Sequence, residues 1–89
     1  MIHELKTWPK YFSMVELGLK TFELRKEDRG FELGDTLVLK EYLPYAKKYT
    51  GNELRVIVIC VLRHDDLPDG LAPGYVVMGI EVLAPYIVR

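Results

Sequence analysis

The segment Gly18-Leu19-Lys20-Thr21-Phe22-Glu23-Leu24-Arg25 places three charged side chains within one short run that otherwise alternates like a strand. Alternation along a strand puts Phe22 and Leu24 on one face, which we expect to pack against a core. Glu23 and Arg25 then lie together on the opposite face, about 6.6 Å apart along the strand. The segment therefore predicts a fixed site with both signs of charge, and such a site suits a polar ligand.

Three further residues extend this candidate site. Lys20 enters from the loop side, and its flexible stem can swing towards Glu23. Glu81 is a carboxylate within an otherwise apolar strand, so we expect it either to be exposed or to pair with a cation such as Lys20 or Arg25. His3 joins the ligand-binding candidates if the first strand runs beside the charged one, and a histidine with a structural partner is the alternative. Lys20 and Glu23 are the catalytic candidates if the protein is an enzyme.

The composition indicates a single globular domain over residues 1–89. The chain has 89 residues, of which 49% are hydrophobic, which is at the upper end of the normal range and argues against low-complexity disorder. Its formal net charge is −1, so no overall positive field attracts nucleic acid or an anionic membrane. A nucleic-acid partner would therefore be held by a local patch of charge.

The remaining composition favours a cytoplasmic monomer without a cofactor. The single cysteine, Cys60, fits a reducing compartment, and its apolar neighbours predict a buried thiol. No apolar run approaches the length of a membrane span, and the N-terminus does not resemble a signal peptide. His3, His64 and Cys60 do not have metal-ligand spacing, so we expect no metal.

The spacing of apolar residues predicts one helix and five strands. Trp8, Phe12 and Val15 form an apolar stripe of helical spacing that starts beside Pro9, a residue tolerated in the first turn. Gly18 stands where a left-handed residue ends a helix. The predicted elements, in chain order, are a strand over 2–7, a helix over 9–17, and strands over 20–25, 36–42, 53–63 and 74–83, with a polar loop over 44–52.

This order of elements predicts an α+β fold, a small mixed β-barrel of about five strands with one main helix after the first strand. An open α+β sandwich is the alternative. The strand over 53–63 is apolar on both faces at its centre. We therefore expect the barrel core to cover one face and the helix to cover the other.

The motif Gly18-x-Lys20-x-x-Glu23-x-Arg25 resembles the signature of ASCH domains (activating-signal-cointegrator homology), which belong to the PUA-like superfamily. Three flanking segments resemble a small prokaryotic and phage branch of that superfamily. They are His3-Glu4-Leu5-Lys6, Phe31-x-x-Gly34-Asp35, and Pro73-Gly74-Tyr75-Val76-Val77 with Gly79-Ile80-Glu81. The resemblance implies a PUA-like β-barrel with a helix beside it and a cleft between that helix and the motif strand.

The resemblance also implies two functions. ASCH domains are proposed to bind RNA, which makes an RNA- or nucleotide-binding module the first hypothesis. One ASCH branch is an amidohydrolase acting on acylated cytidine, and it uses a lysine at the position matching Lys20 and a threonine at the position matching Glu23. A small amidohydrolase for a modified nucleoside is therefore the second hypothesis, although Glu23 departs from that pattern. A protein-interaction module that docks through the apolar tail 85–89 is the third.

Overall fold

The structure, a computed structural model, describes residues 1–83. Its elements, in chain order, are β1 (Ile2–Thr7), α1 (Pro9–Glu16), β2 (Phe22–Lys26), β3 (Thr36–Leu43), β4 (Lys48–Arg63), a 3-10 turn (His64–Asp66) and β5 (Tyr75–Val82). The predicted order of one helix and five strands is confirmed. The tail 85–89, which carried the protein-interaction hypothesis, lies outside the described residues.

The five strands form one mixed sheet in the order β1-β3-β4-β5-β2. β1 is parallel to β3, and the other neighbouring strands are antiparallel. The sheet curves into a half-barrel whose two edge strands are β1 and β2. The prediction of a small barrel-like α+β fold is therefore confirmed at this level.

One hydrophobic core lies on the inner face of the half-barrel, and α1 packs against that same face. Phe12 and Val15 of α1 are buried in the same cluster as Val56 and Val58 of β4. A second layer over β4 was expected, but the helix lies on the core side, so within residues 1–83 nothing of this kind covers the outer face.

Side chains on the outer face of β4 are therefore exposed. Ile59 lies in a β-bulge between Val58 and Cys60, where it is 52% exposed, and Cys60 is also exposed. The prediction of a buried thiol is therefore wrong, because apolar neighbours in sequence do not show which face of a strand is covered.

The ends of α1 direct the chain into β2. Pro9 is the first helical residue, and Trp8 precedes it with an extended backbone (ψ 150°). Gly18 adopts a left-handed conformation (φ 75°), as predicted. The next two main-chain N–H groups, of Leu19 and Lys20, donate to the carbonyl oxygen of Met14 at 2.8 and 3.0 Å. These bonds turn the chain so that Lys20 arrives beside β2.

The polar segment expected to be a loop over 44–52 contains the start of β4. Residues 48–52 belong to the strand, which leaves a short turn with Lys47 in a left-handed conformation (φ 54°). Tyr42 and Tyr49 face each other across the hairpin with ring centroids 5.0 Å apart. This cross-strand aromatic pair stabilises a strand that lacks apolar alternation.

A buried hydrogen bond connects β1 to the turn before β3. The Nε2 atom of His3 lies 2.8 Å from Oδ2 of Asp35, and the ring of His3 packs edge-on against Phe31. Asp35 also accepts the main-chain N–H of Glu32 at 3.0 Å. The hydrogen bond from His3, aided by the other donors, lowers the pKa of Asp35 from 3.8 to about 2. His3 is thus a structural residue in this fold.

This shift makes stability depend on pH at the acid end. The Asp35 carboxyl titrates near 3.8 when unfolded and near 2 when folded, so its contribution is complete above about pH 4 and is lost as the pH falls through 2. We expect the free energy of unfolding of the native protein to fall more steeply over this range than that of Asp35→Asn. Urea unfolding followed by circular dichroism at several pH values measures this difference. The control Asp69→Asn, at an exposed loop position, should keep the native dependence, and identical curves for native and Asp35→Asn proteins would contradict the assignment.

Candidate functional site

β2 turns the side chains of Glu23 and Arg25 inwards. Glu23 is only 2% exposed, whereas Phe22 is 49% and Leu24 is 54% exposed. The expectation that Phe22 and Leu24 face the core is therefore wrong. A carboxylate can be buried when cations pair with it, and Glu23 has two such partners. The outer face of β2, which carries Phe22 and Leu24, is open.

Lys20, Glu23 and Arg25 meet in one ion cluster, as predicted. Nζ of Lys20 donates to Oε1 of Glu23 at 2.6 Å, and Nε of Arg25 donates to Oε2 at 2.8 Å. Each carboxylate oxygen thus has its own cationic donor. Nη2 of Arg25 also donates to Oγ1 of Thr7 at 3.3 Å, which ties β2 to the end of β1. Thr7 is buried, and its part in the cluster was not predicted.

The ion cluster lies in a cleft of about 510 Å³ between α1, the end of β1 and β2. This volume is within the range of small-molecule sites in proteins. The cleft is lined by residues of these elements and of the turn that joins α1 to β2. They are Lys6, Thr7, Trp8, Tyr11, Met14, Leu19, Lys20, Phe22, Glu23, Leu24 and Arg25.

Exposed aromatic side chains line the cleft around the ion cluster. Trp8 is 54% exposed, and Tyr11 and Phe22 are also exposed. Nζ of Lys20 lies 5.9 Å from the ring centroid of Tyr11 and 5.1 Å from that of Phe22. The cleft therefore combines open aromatic surfaces with charged groups at one point.

The predicted apolar stripe of Trp8, Phe12 and Val15 is confirmed for Phe12 and Val15 and is wrong for Trp8, which is exposed. Trp8 lies before the first helical residue, Pro9, so the helical period does not govern its direction. The Trp-Pro pair at a helix start is the signal that would have separated Trp8 from Phe12 and Val15. Tyr11 had no comparable signal, because its exposure depends on how α1 packs against the sheet.

The charge of the cleft favours an anion. Lys6, Lys20 and Arg25 supply three cations against the single carboxylate of Glu23. Nζ of Lys6 also lies 4.5 Å from the ring centroid of Tyr42. The described lining of the cleft thus carries a net positive charge, although the chain as a whole does not.

Two of the predicted site residues lie elsewhere. His3 is held by Asp35 and does not line the cleft. Glu81 is exposed on β5, opposite Ile57 of β4, and it does not line the cleft either. Among residues 1–83 no group of three or more His, Cys, Asp or Glu side chains is placed to hold a metal ion. No helix within these residues has the length and apolar character needed to cross a membrane.

β1 and β2 approach each other at the open side of the half-barrel. We call the gap between them the seam, and side chains bridge it. Arg25 reaches Thr7 at one point, and Nη1 of Arg29 donates to the main-chain oxygen of Glu4 at 2.6 Å at another. A hollow of about 150 Å³, lined in part by Arg25 and Arg29, lies along the same gap. The cleft is thus built at one end of the seam.

Residues 2–80 match the model of a family described as Domain of unknown function (DUF3850). The chain belongs to the DUF3850 family. It is 41% identical over 70 residues to an uncharacterized 12.9 kDa protein in the GpA 3' region of Escherichia phage P2. That match covers 79% of this chain and 60% of the phage protein, so the chain spans about three-fifths of its relative's length.

A solved structure shares the fold of this DUF3850 chain. The crystal structure of hypothetical protein PH0355 superposes with a TM-score of 0.62 and covers 93% of this chain and 100% of its own. The two sequences are 17% identical, so the likeness supports the architecture alone.

The buried carboxylate of Glu23 should matter for stability. We expect Glu23→Gln to lower the free energy of unfolding by about 2 kcal/mol, because the amide keeps only one of the two acceptor oxygens and loses the charge that pairs with Lys20 and Arg25. Chemical denaturation measures this change. Glu81→Gln is the matched control at an exposed strand position, and it should change stability by less than about 0.5 kcal/mol. Equal effects of the two substitutions would contradict the role given to Glu23.

Proposed function

We propose that this DUF3850 protein is an ASCH-type, PUA-like domain that binds RNA or a nucleotide in the cleft. The ASCH-like motif of residues 18–25 supports this assignment because its three charged residues are the ones that meet in the cleft. The observation that carries the proposal is the buried carboxylate of Glu23, held by Lys20 and Arg25, beside exposed aromatic rings.

The aromatic rings give the cleft a surface on which a base can stack. Trp8 and Tyr11 are exposed where they line the cleft, although burying large aromatic surfaces is favourable. Stacking of a base on an aromatic side chain contributes about 1–3 kcal/mol and does not depend on the identity of the base. In the proposed complex, these two residues hold the plane of the base.

The cations would hold the charged part of the ligand. Lys20 keeps two of its three donors beyond its bond to Glu23, and Arg25 keeps donors beyond those given to Glu23 and Thr7. Arginine matches a phosphate or a base edge with paired donors. Glu23 fixes the direction of both cations, so in this proposal it is a positioning residue.

Nucleotide binding is the first test of this proposal. Fluorescence of the single tryptophan, Trp8, should report titration with single-stranded RNA and with the four nucleoside 5′-monophosphates at low salt. We expect saturable quenching, because the ring that stacks on the base is the fluorophore. Added salt should weaken RNA binding with a modest slope, since few phosphates are contacted. The absence of binding at low salt, checked by calorimetry, would overturn the proposal.

Paired substitutions locate the site. We expect Trp8→Ala to weaken binding about tenfold in calorimetry, which corresponds to the loss of one stacking contact. Tyr45→Ala is the matched aromatic control, because Tyr45 is fully exposed and does not line the cleft. Arg25→Lys should also weaken binding, since it keeps the charge but loses the paired donors, and Lys48→Ala is its control outside the cleft. If the controls weaken binding as much as Trp8→Ala, the ligand binds elsewhere.

The contact of 2.6 Å between Lys20 and Glu23 favours one alternative, an amidohydrolase acting on a modified nucleoside. An amine and a carboxylate in contact could serve as general acid and base. Binding accounts better for the geometry, because both oxygens of Glu23 are already occupied by cations and the threonine of the hydrolase branch is replaced by Glu23. Incubation with a panel of N-acylated nucleosides, followed by mass spectrometry, separates the two. Turnover lost in Lys20→Ala would favour hydrolysis.

A further inference from the structure

Among residues 1–83, β2 is hydrogen-bonded to a neighbouring strand on one side only. Two bonds fix which of its main-chain groups face that neighbour, β5. The N–H of Ile80 donates to the carbonyl oxygen of Thr21 at 3.0 Å, and the N–H of Glu27 donates to the carbonyl oxygen of Gly74 at 2.9 Å. In an antiparallel pair, alternate residues point both main-chain groups at the partner strand. The odd-numbered residues from 21 to 27 therefore face β5.

The even-numbered residues of β2 direct their main-chain groups away from β5. Phe22, Leu24 and Lys26 point their N–H and C=O groups towards the open edge of the sheet. Phe22 and Leu24 also line the cleft, so this open edge forms part of its wall. Within residues 1–83 no other main-chain group or side chain bonds the outward groups of Leu24. An unpaired strand edge is a strong template for further hydrogen bonds.

Leu24 is the more open of the two positions. The ammonium of Lys20 binds Glu23 and lies 5.1 Å from the ring centroid of Phe22, so it occupies the part of the cleft next to Phe22. The side chain of Leu24 is half-exposed on the outer face, which leaves its main-chain groups at the edge. A planar ligand that stacks on the aromatic rings can therefore direct its rim towards Leu24.

We propose that the main chain of Leu24 reads the Watson–Crick edge of an unpaired base bound in the cleft. The N–H and C=O groups of one extended residue lie side by side on the same edge, which offers a donor next to an acceptor. Each of the four bases presents an adjacent donor and acceptor on its Watson–Crick edge, and only unpaired bases leave that edge free. The ligand class is then a mononucleotide or a single-stranded RNA segment, and not a duplex. This inference rests on the proposed function.

Substitution of Leu24 by proline tests the inference, because it removes the N–H without breaking the pairing of β2 with β5. We expect Leu24→Pro to bind the best of the four nucleoside 5′-monophosphates about tenfold more weakly than the native protein, since it loses one donor and leaves a ligand acceptor without a partner. Leu24→Ala keeps the N–H and also removes the leucine side chain, so it is the reference against which the loss of affinity in Leu24→Pro is measured. Calorimetry measures both affinities, and circular dichroism checks that each variant is folded.

A second measurement uses the native protein alone and decides the matter if Leu24→Pro does not fold. The N-methylated form of the same monophosphate, with the methyl group on its Watson–Crick edge, should bind at least tenfold more weakly. Duplex RNA should also compete less well than single-stranded RNA of the same composition. If the methylated and unmethylated ligands bind equally, or Leu24→Pro binds as well as Leu24→Ala, the inference is overturned and the proposed function stands. If no monophosphate and no RNA binds, the proposed function fails and the inference fails with it.

Discussion

The burial of the Glu23 carboxylate is the constraint on which the site depends. A carboxylate removed from water is stable only when donors surround it, and the two oxygens of Glu23 each take one cation. This requirement turns β2 so that Glu23 and Arg25 face inwards. It draws Lys20 out of the turn after α1 and directs Arg25 across to Thr7. Glu23 thus links β2 to the turn after α1 through Lys20, and to the end of β1 through Arg25.

The core and the cleft are built from different strands of the half-barrel. The core is built from the central strands and from Phe12 and Val15 of α1, so it does not need the edge strand β2 for most of its packing. That leaves β2 free to carry charge on its inner face and apolar side chains on its outer face. The turn that begins at Gly18 then sets how α1 and β2 diverge. The cleft lies in the space between them.

Much of this arrangement follows from local sequence patterns, and the rest depends on tertiary packing. Helical and strand periods predict the order of elements, and Gly18 predicts the end of α1. The meeting of Lys20, Glu23 and Arg25 follows from their spacing. Which face of β2 is buried cannot be predicted in this way. The alternation is the same whichever face is buried, and hydrophobicity alone favours burial of Phe22 and Leu24. The exposure of Cys60 likewise depends on where the helix packs. The family match supports the grouping with DUF3850, and the ASCH-like motif is the ground for the function proposed.

The contacts across the seam differ in kind from those between the other neighbouring strands. Along the rest of the sheet, neighbouring strands are joined by rows of main-chain hydrogen bonds. β1 is instead joined to β2 by the side chain of Arg25 and to the turn after β2 by the side chain of Arg29. An arginine side chain has several rotatable bonds, so a link of this kind can adjust over a longer distance than a ladder of main-chain hydrogen bonds. The half-barrel is therefore closed on this side by side-chain contacts and elsewhere by main-chain ladders. The width of this gap can change without breaking a hydrogen bond between the main chains of neighbouring strands.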